Sequence, residues 1–360
     1  MSHARIALSQ NDDTRKFVRE FNNTTIDTVL LPSQRTPRLA SDMSPATAMF
    51  PTSIESLEWS NPDHVVSVAC AAFAAWCLVA SWVTGTHSHV DRLWSITPAV
   101  YAGIYAYMSA FDARCTLMAS LVAVWGARLT YNFARKGGYR AGEQDYRWPV
   151  LRELAILRNP VAWQIFNVSF IAAYQHALLL LISAGPMSVA FAMRGNQPNL
   201  TGADLVATGC FVAFLALEAA ADQQQWRFQQ AKREVAGFAR ERRARDDYAR
   251  GFLTRGLFKF SRHPNFFAEQ CIWFSFALFA VCHGNDSSGV FSRRLWLAPR
   301  GGLGAVLLAL LFQGSTPFTE SITMKKYPAY AAYRKCTSQL VPLPPFGTMP
   351  PASKPRKLRD

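Results

Sequence analysis

Charge is what this sequence has least of. Only 17% of its 360 residues are Asp, Glu, Lys or Arg, against roughly 25% in soluble globular domains. Long stretches carry no charge at all. Residues 65–83, 93–111 and 301–319 contain none, and 161–193 is uncharged throughout, with His176 as its one histidine. A run of about 18 or more such residues can cross a bilayer as a helix, so a compact soluble enzyme is excluded. Paired cysteine motifs are missing too. The seven cysteines (70, 77, 115, 210, 271, 282 and 336) form no C-x-x-C and lie mostly in or beside apolar runs, so neither a zinc site nor a disulfide framework is expected. There is no H-E-x-x-H, no nucleophile elbow and no P-loop. Gly301-Gly302-Leu303-Gly304 does not complete G-x-G-x-x-G, and no strand precedes it, so no Rossmann fold is implied.

What is present is a string of apolar segments separated by basic loops. Seven candidate spans can be drawn: 65–83, 93–111, 115–133, 161–183, 205–221, 266–283 and 301–319. The fold expected is all-α, a multi-pass membrane protein with about seven transmembrane helices over 65–345. Residues 1–64 are rich in Ser, Thr, Pro and Asn without helical periodicity and read as a polar, disordered extension. No apolar stretch near Met1 resembles a cleavable signal, and Asp12, Asp13 and Glu20 argue against a transit peptide. Residues 346–360 read as a basic tail.

Net charge is +14, from 38 Lys and Arg against 24 Asp and Glu. Its distribution points to a membrane rather than to nucleic acid. With seven spans, 26 basic residues fall in the long loops and the C-terminal tail on one side, and five in the opposite loops. The excess marks the cytosolic face. The sequons at Asn22, Asn23, Asn199 and Asn285 all fall on the opposite side, as glycosylation in the endoplasmic reticulum requires.

Polar residues inside or beside the apolar runs are the candidate chemistry. Trp125, Arg128, Asn132 and Arg135 make one helical stripe. Arg128 could snorkel to the interface or face a site. Glu218 and Asp222 lie one turn apart at a helix C-terminal end, where the macrodipole disfavours anions. They would pair with loop cations or accept hydrogen bonds from a ligand. Gly256-Leu-Phe-Lys-Phe-Ser-Arg-His-Pro-Asn-Phe-Phe-Ala-Glu-Gln270 is the densest segment. Pro264 suits a first helical turn and Ser261 a cap, so free N–H groups with Arg262 and His263 beside them would cradle a phosphate. Asn265 and Glu269 follow one turn apart on one face. Asp91 reads first as a helix N-cap, and Tyr131 as ordinary core.

The 256–270 segment resembles the C-terminal signature of the steroid 5-alpha-reductase superfamily, and more closely the branch known only as a domain of unknown function. Asp91-Arg-Leu-Trp-Ser95, Trp125-Gly-Ala-Arg-Leu-Thr-Tyr-Asn132, Glu218-Ala-Ala-Ala-Asp-Gln-Gln224 and Tyr327-Pro-Ala-Tyr330, with Tyr333 and Val341-Pro342, are similar to that branch. The similarity covers roughly residues 85–345. It implies a membrane oxidoreductase of the endoplasmic reticulum that moves hydride from NADPH to an activated carbon–carbon double bond of a hydrophobic substrate. It also implies a carboxyl group near Asp91, or the Tyr131 phenol, as the acid that polarises the carbonyl. Arg128, Asn132, Arg135, Glu218, Asp222, Arg250, Arg262, His263, Asn265, Glu269, Tyr327 and Tyr330 become candidate cofactor contacts, with no metal involved. Arg-His-Pro before an aromatic, and a late Tyr-x-x-Tyr, are shared with isoprenylcysteine carboxyl methyltransferases. S-adenosylmethionine is therefore the alternative cofactor, and a non-catalytic lipid- or sterol-binding protein the third reading.

Overall fold

The structure, a computed structural model, describes residues 57–195, 200–234, 242–281 and 291–349. The polar extension expected over 1–64 and the basic tail lie almost wholly outside them. Among the described residues every regular element is helical, and one isolated bridge joins Ser261 to Ser338.

The first helix, α1 (Pro62–Thr84), starts where Asn61 caps the Asp63 N–H at 3.0 Å and Pro62 takes the first position. A short α2 (His89–Leu93) leads into α3 (Thr97–Met108) and α4 (Ala113–Arg135). Asp112 caps α4 through the N–H groups of Arg114 and Cys115, at 3.1 and 3.2 Å. After α5 (Arg147–Arg152), Asn159 caps and Pro160 opens α6 (Pro160–Phe166). This continues through a π-helical stretch (Asn167–Tyr174) into α7 (Gln175–Met193). Then come α8 (Gly202–Glu234), α9 (Arg242–Arg250), a 3-10 turn (Gly256–Lys259), α10 (Pro264–Val281), α11 (Phe291–Lys326) and α12 (Tyr330–Cys336).

Helix α7 is the hub, packing against α1, α3, α4, α10 and α11. Its central position explains why its apolar residues are so uniform: Leu178, Leu179, Leu180 and Ile182 are all buried. Gly301 and Gly304 of the Gly301–Gly304 run serve close helix crossings. A Cβ on Gly304 would sit 2.5 Å from the Leu181 carbonyl oxygen, and one on Gly301 2.3 Å from the Ala280 side chain. Small residues at such crossings let helix backbones approach closely.

Each of the seven expected spans has a helix, but among the described residues four are long and apolar enough to cross a membrane: Pro62–Thr84, Pro160–Met193, Gly202–Lys232 and Gly301–Lys326. The second expected span is shorter than drawn. Helix α3 has 12 residues, about 18 Å, because Ala110 and Phe111 take positive φ (53° and 59°) and turn the chain. Helix α4 is diluted by its arginines, and α10 by Asn265, Glu269 and Gln270. The protein is a helical membrane protein.

Candidate functional site

A cavity of about 740 Å³ lies among α4, α8, α10, α11 and the α6–π stretch. Its apolar lining comes from Phe166, Phe170 and Tyr174 of the α6–π stretch and from Leu310, Phe312 and Phe318 of α11. The three rings of the first set stack in series, with centroids 5.0 and 5.4 Å apart. Spaced four residues apart, they share one face of the helical rod.

Its polar lining is built by three motifs distant in sequence. From α4, Arg128 places Nη1 2.8 Å from Asp222 and Nη2 2.7 Å from Glu218 on α8. Asn132, one turn on, donates to Asp222 at 2.7 Å and accepts from Arg135 Nε at 2.8 Å. Arg135 also donates to Gln223 at 2.8 Å. From α10, Asn265 reaches Asp222 at 3.5 Å. Glu269 accepts indole N–H groups from Trp125 and Trp273, both at 2.9 Å. Asn132, Glu218, Asp222, Asn265 and Glu269 line the cavity together.

Asp91 lines the cavity from α2 and accepts the Trp148 indole N–H at 2.9 Å. Burial pushes its carboxyl above the ordinary aspartate range, against the pull of nearby Arg147 and the Trp148 hydrogen bond. The adjacent Arg92 holds the loop after α4, donating to the carbonyls of Gly138 (3.3 Å), Arg140 (3.3 Å) and Glu143 (3.0 Å). That loop brings Lys136 and Arg147 to the cavity, with Arg147 doubly bonded to Asp145 at 2.8 and 3.0 Å. Asp91 caps no helix: the residue before α2 is Ser88.

Tyr131 is placed elsewhere. One residue before Asn132, it is rotated about 100° around α4 and is 66% exposed, with the Arg135 guanidinium over its ring. Its phenol lies outside the cavity.

The expected phosphate cradle at Arg262 and His263 has other partners in the structure. Their backbone N–H groups donate to the carbonyls of Ser338 (2.8 Å) and Gln339 (3.1 Å). Ser261 caps as expected, accepting the His263 N–H at 3.1 Å, and its hydroxyl donates to Leu340 at 2.6 Å. The Arg262 guanidinium is buried against Glu320 of α11, at 2.6 and 3.2 Å, and also donates to the carbonyls of Arg334 and Thr337. His263 (3.0 Å), Arg334 (3.1 Å) and Tyr330 (3.3 Å) converge on the same carboxylate. This cluster fastens the chain after α11 onto the start of α10; none of its residues lines the cavity. Tyr327 accepts from Lys232 at 2.8 Å, and Arg250 pairs with Asp247 at 3.3 Å, also away from the cavity. Glu320 and Trp148 were not anticipated. Glu320 had a signal, an acid in an apolar helix, whereas Trp148 had none.

Among the described residues no His, Cys, Asp and Glu group could hold a metal ion. The "Protein of unknown function (DUF1295)" family matches residues 76–337. A Schizosaccharomyces pombe protein described as "Uncharacterized protein C594.04c" is 35% identical over 272 residues, covering 73% of this chain and 74% of its own. No solved structure matches. The matched family spans every helix that contributes to the cavity, and the chain belongs to it.

Proposed function

We propose that this protein is an NADPH-dependent membrane reductase acting on an activated carbon–carbon double bond of a hydrophobic molecule. The observation that carries the reading is that one cavity is lined both by an aromatic stack and by a hydrogen-bonded acid cluster, with a further acid, Asp91, whose carboxyl burial pushes above the ordinary range. An alkene-bearing lipid suits the stack. A nicotinamide riboside suits the acid cluster, because its hydroxyl and carboxamide N–H groups are donors and the residues there are acceptors.

The polar atoms themselves support the fit. Glu218 is 5% exposed, yet its Oε2 has no hydrogen-bond partner. An unsatisfied buried acceptor calls for a donor from outside the chain. Glu218, Asp222 and Glu269 would hold the riboside, and Lys136, Arg147 and the Arg140 of the same loop would face its phosphates. Bound there, the cofactor supplies hydride. The protein's own part is to exclude water, to orient the alkene against the Phe166–Tyr174 wall, and to donate a hydrogen bond or proton to the carbonyl oxygen. Asp91 serves that last role, since a carboxyl raised by burial keeps its proton to higher pH.

One feature favours the methyltransferase alternative. Five acids line the cavity (Asp91, Asp145, Glu218, Asp222 and Glu269) against two bases, Lys136 and Arg147, which suits a sulfonium cation. Purified protein in detergent separates the readings. NADPH at saturating concentration should raise the apparent melting temperature while S-adenosylmethionine leaves it unchanged; the reverse pattern would reject the reductase.

The membrane arrangement proposed is seven spans, with α3, α4 and α10 completing the four long apolar helices. The C-terminus is cytosolic and the location the endoplasmic reticulum. The supports are the basic residues of the loops and tail on one side, 26 against five in the opposite loops, and the way α3, α4 and α10 pack within the same bundle.

A further inference from the structure

Two helical rods that line the cavity do not close on each other. Helix α11 crosses α7 tightly at Gly304, where an added Cβ would sit 2.5 Å from the Leu181 carbonyl oxygen. Toward its N-terminal end, the α7 rod is made of the π stretch and α6. Among the described residues α11 packs against α7 and α10, and at most marginally against the π stretch and α6. Yet Phe166, Phe170 and Tyr174 of one rod and Leu310, Gly314 and Phe318 of the other line the same cavity.

The outer face of α11 shows where the gap leads. Leu303, Val306 and Leu310 follow one another at helical spacing and are 44%, 46% and 61% exposed. Gly314, one turn on, is exposed as well. Leu303 and Val306 lie outside the cavity, whereas Leu310 and Gly314 line it. One continuous face therefore runs from the surface of an apolar helix into the cavity. Gly301–Lys326 is long and apolar enough to cross a membrane, and Gly314 stands near its middle, with roughly 18 Å of helix on either side. In a hydrocarbon layer about 30 Å thick, that depth is occupied by lipid chains. The facing rod is apolar on its surface too, with Val161, Ile165 and Val168 exposed.

We propose that the gap between α11 and the α6–π rod is a lateral portal through which the apolar chain of a bilayer lipid enters the cavity. Its rim, Phe170, Leu310, Gly314 and Phe318, carries no charge, so a chain passes it without leaving an apolar medium. A charged headgroup at that depth would give up its hydration with no partner there. Gly314 is the narrow point for a test: a Cβ added to it meets nothing within 4 Å, so a side chain can be built into the opening. The portal deepens the reductase reading by naming the bilayer as the source of the hydrophobic molecule; only the reaction that follows entry rests on that reading.

The full chain in nanodiscs of phosphatidylcholine bearing a diazirine midway along one acyl chain tests the portal. After illumination, peptide mass spectrometry should find lipid adducts on Trp94, Leu129 or Trp148, which line the cavity from neither portal rod, as well as on exposed Val79 of α1. Gly314→Trp should lower the cavity adducts at least fivefold relative to those on Val79. Gly302→Trp, on the same helix, away from the cavity and equally free of neighbours within 4 Å, should leave them unchanged. Adducts on Val79 without any in the cavity of the parent, or cavity adducts undiminished in Gly314→Trp, overturn the proposal. Aggregation of Gly314→Trp would contradict the open space on which it rests. The expected adducts in protein that fails to bind NADPH would keep the portal and remove the reductase reading; their absence in protein that binds NADPH would remove the portal alone.

Discussion

Removing the carboxylate of Glu320 should destabilise the protein without touching the cavity. Glu320 is 1% exposed and receives Arg262, His263, Arg334 and Tyr330. Breaking a buried ion pair from one side costs about 3–5 kcal/mol, because the other charge is left buried and unpaired. Arg262 keeps the carbonyls of Arg334 and Thr337, so Glu320→Ala should fall near the lower end, about 3 kcal/mol. Glu320→Gln retains size and one acceptor and should cost about 1–2 kcal/mol. At roughly 2 °C per kcal/mol for a chain of this size, the apparent melting temperature should drop by about 6 °C for Ala and about 2–4 °C for Gln. Fluorescence-detected gel filtration of heated, detergent-solubilised protein measures this, with identical heating times because membrane proteins unfold irreversibly. Arg262→Glu sets two carboxylates against each other and should lose at least as much as Glu320→Ala, with or without NADPH. If Glu320→Ala melts within about 1 °C of the parent, or if the Arg262 variant loses only cofactor affinity, the cluster is not a structural fastening and the phosphate-cradle reading returns.

Two further outcomes follow from named contacts. Burial raises the folded-state pKa of Asp91 above the ordinary 3.8. The folded protein therefore binds this proton more tightly than the unfolded chain, and stability falls as pH rises from that value through the raised one. Denaturation of parent and Asp91→Asn across pH should show the variant gaining on the parent over that window and a constant difference above it; parallel curves throughout would refute the burial argument. Gly304→Leu should separate α7 from α11, since even a Cβ meets the Leu181 carbonyl at 2.5 Å. Loss of monodisperse protein on gel filtration is expected, whereas Gly302→Leu, with nothing within 4 Å, should behave as the parent.

Much of the fold was legible because a bilayer imposes a simple rule on composition. The runs 65–83 and 161–193 became α1 and the α6–α7 rod; the caps at Asn61, Asp112 and Asn159 are local signals that the reading of the sequence did not use. The π-turns at Asn167–Tyr174 were not legible, since the hydrophobicity around that stretch is uniform and gives no period. At the site, the stripe Arg128, Asn132 and Arg135 and the pair Glu218 and Asp222 were found correctly as neighbours on their own helices. That the two sets face each other is a fact of tertiary packing. Arg262 shows the limit. Its partner Glu320 is 58 residues away, and the terminal segment that takes up the local N–H groups is further still. A helix start with basic residues reads as an anion site until those carbonyls are seen. Tyr131 shows a finer one: a single residue of offset carried it from the cavity face of α4 to its outside.

The central claim is that hydride leaves NADPH in this cavity and enters a lipid. Membranes from cells expressing the full chain, supplied with NADPH deuterated at the nicotinamide C4 position that donates, should incorporate deuterium into a lipid two hydrogens richer than its precursor. Membranes bearing Asp91→Asn should not. Label that stays in the cofactor, or reaches the same lipid equally in membranes lacking the protein, would contradict the reductase account.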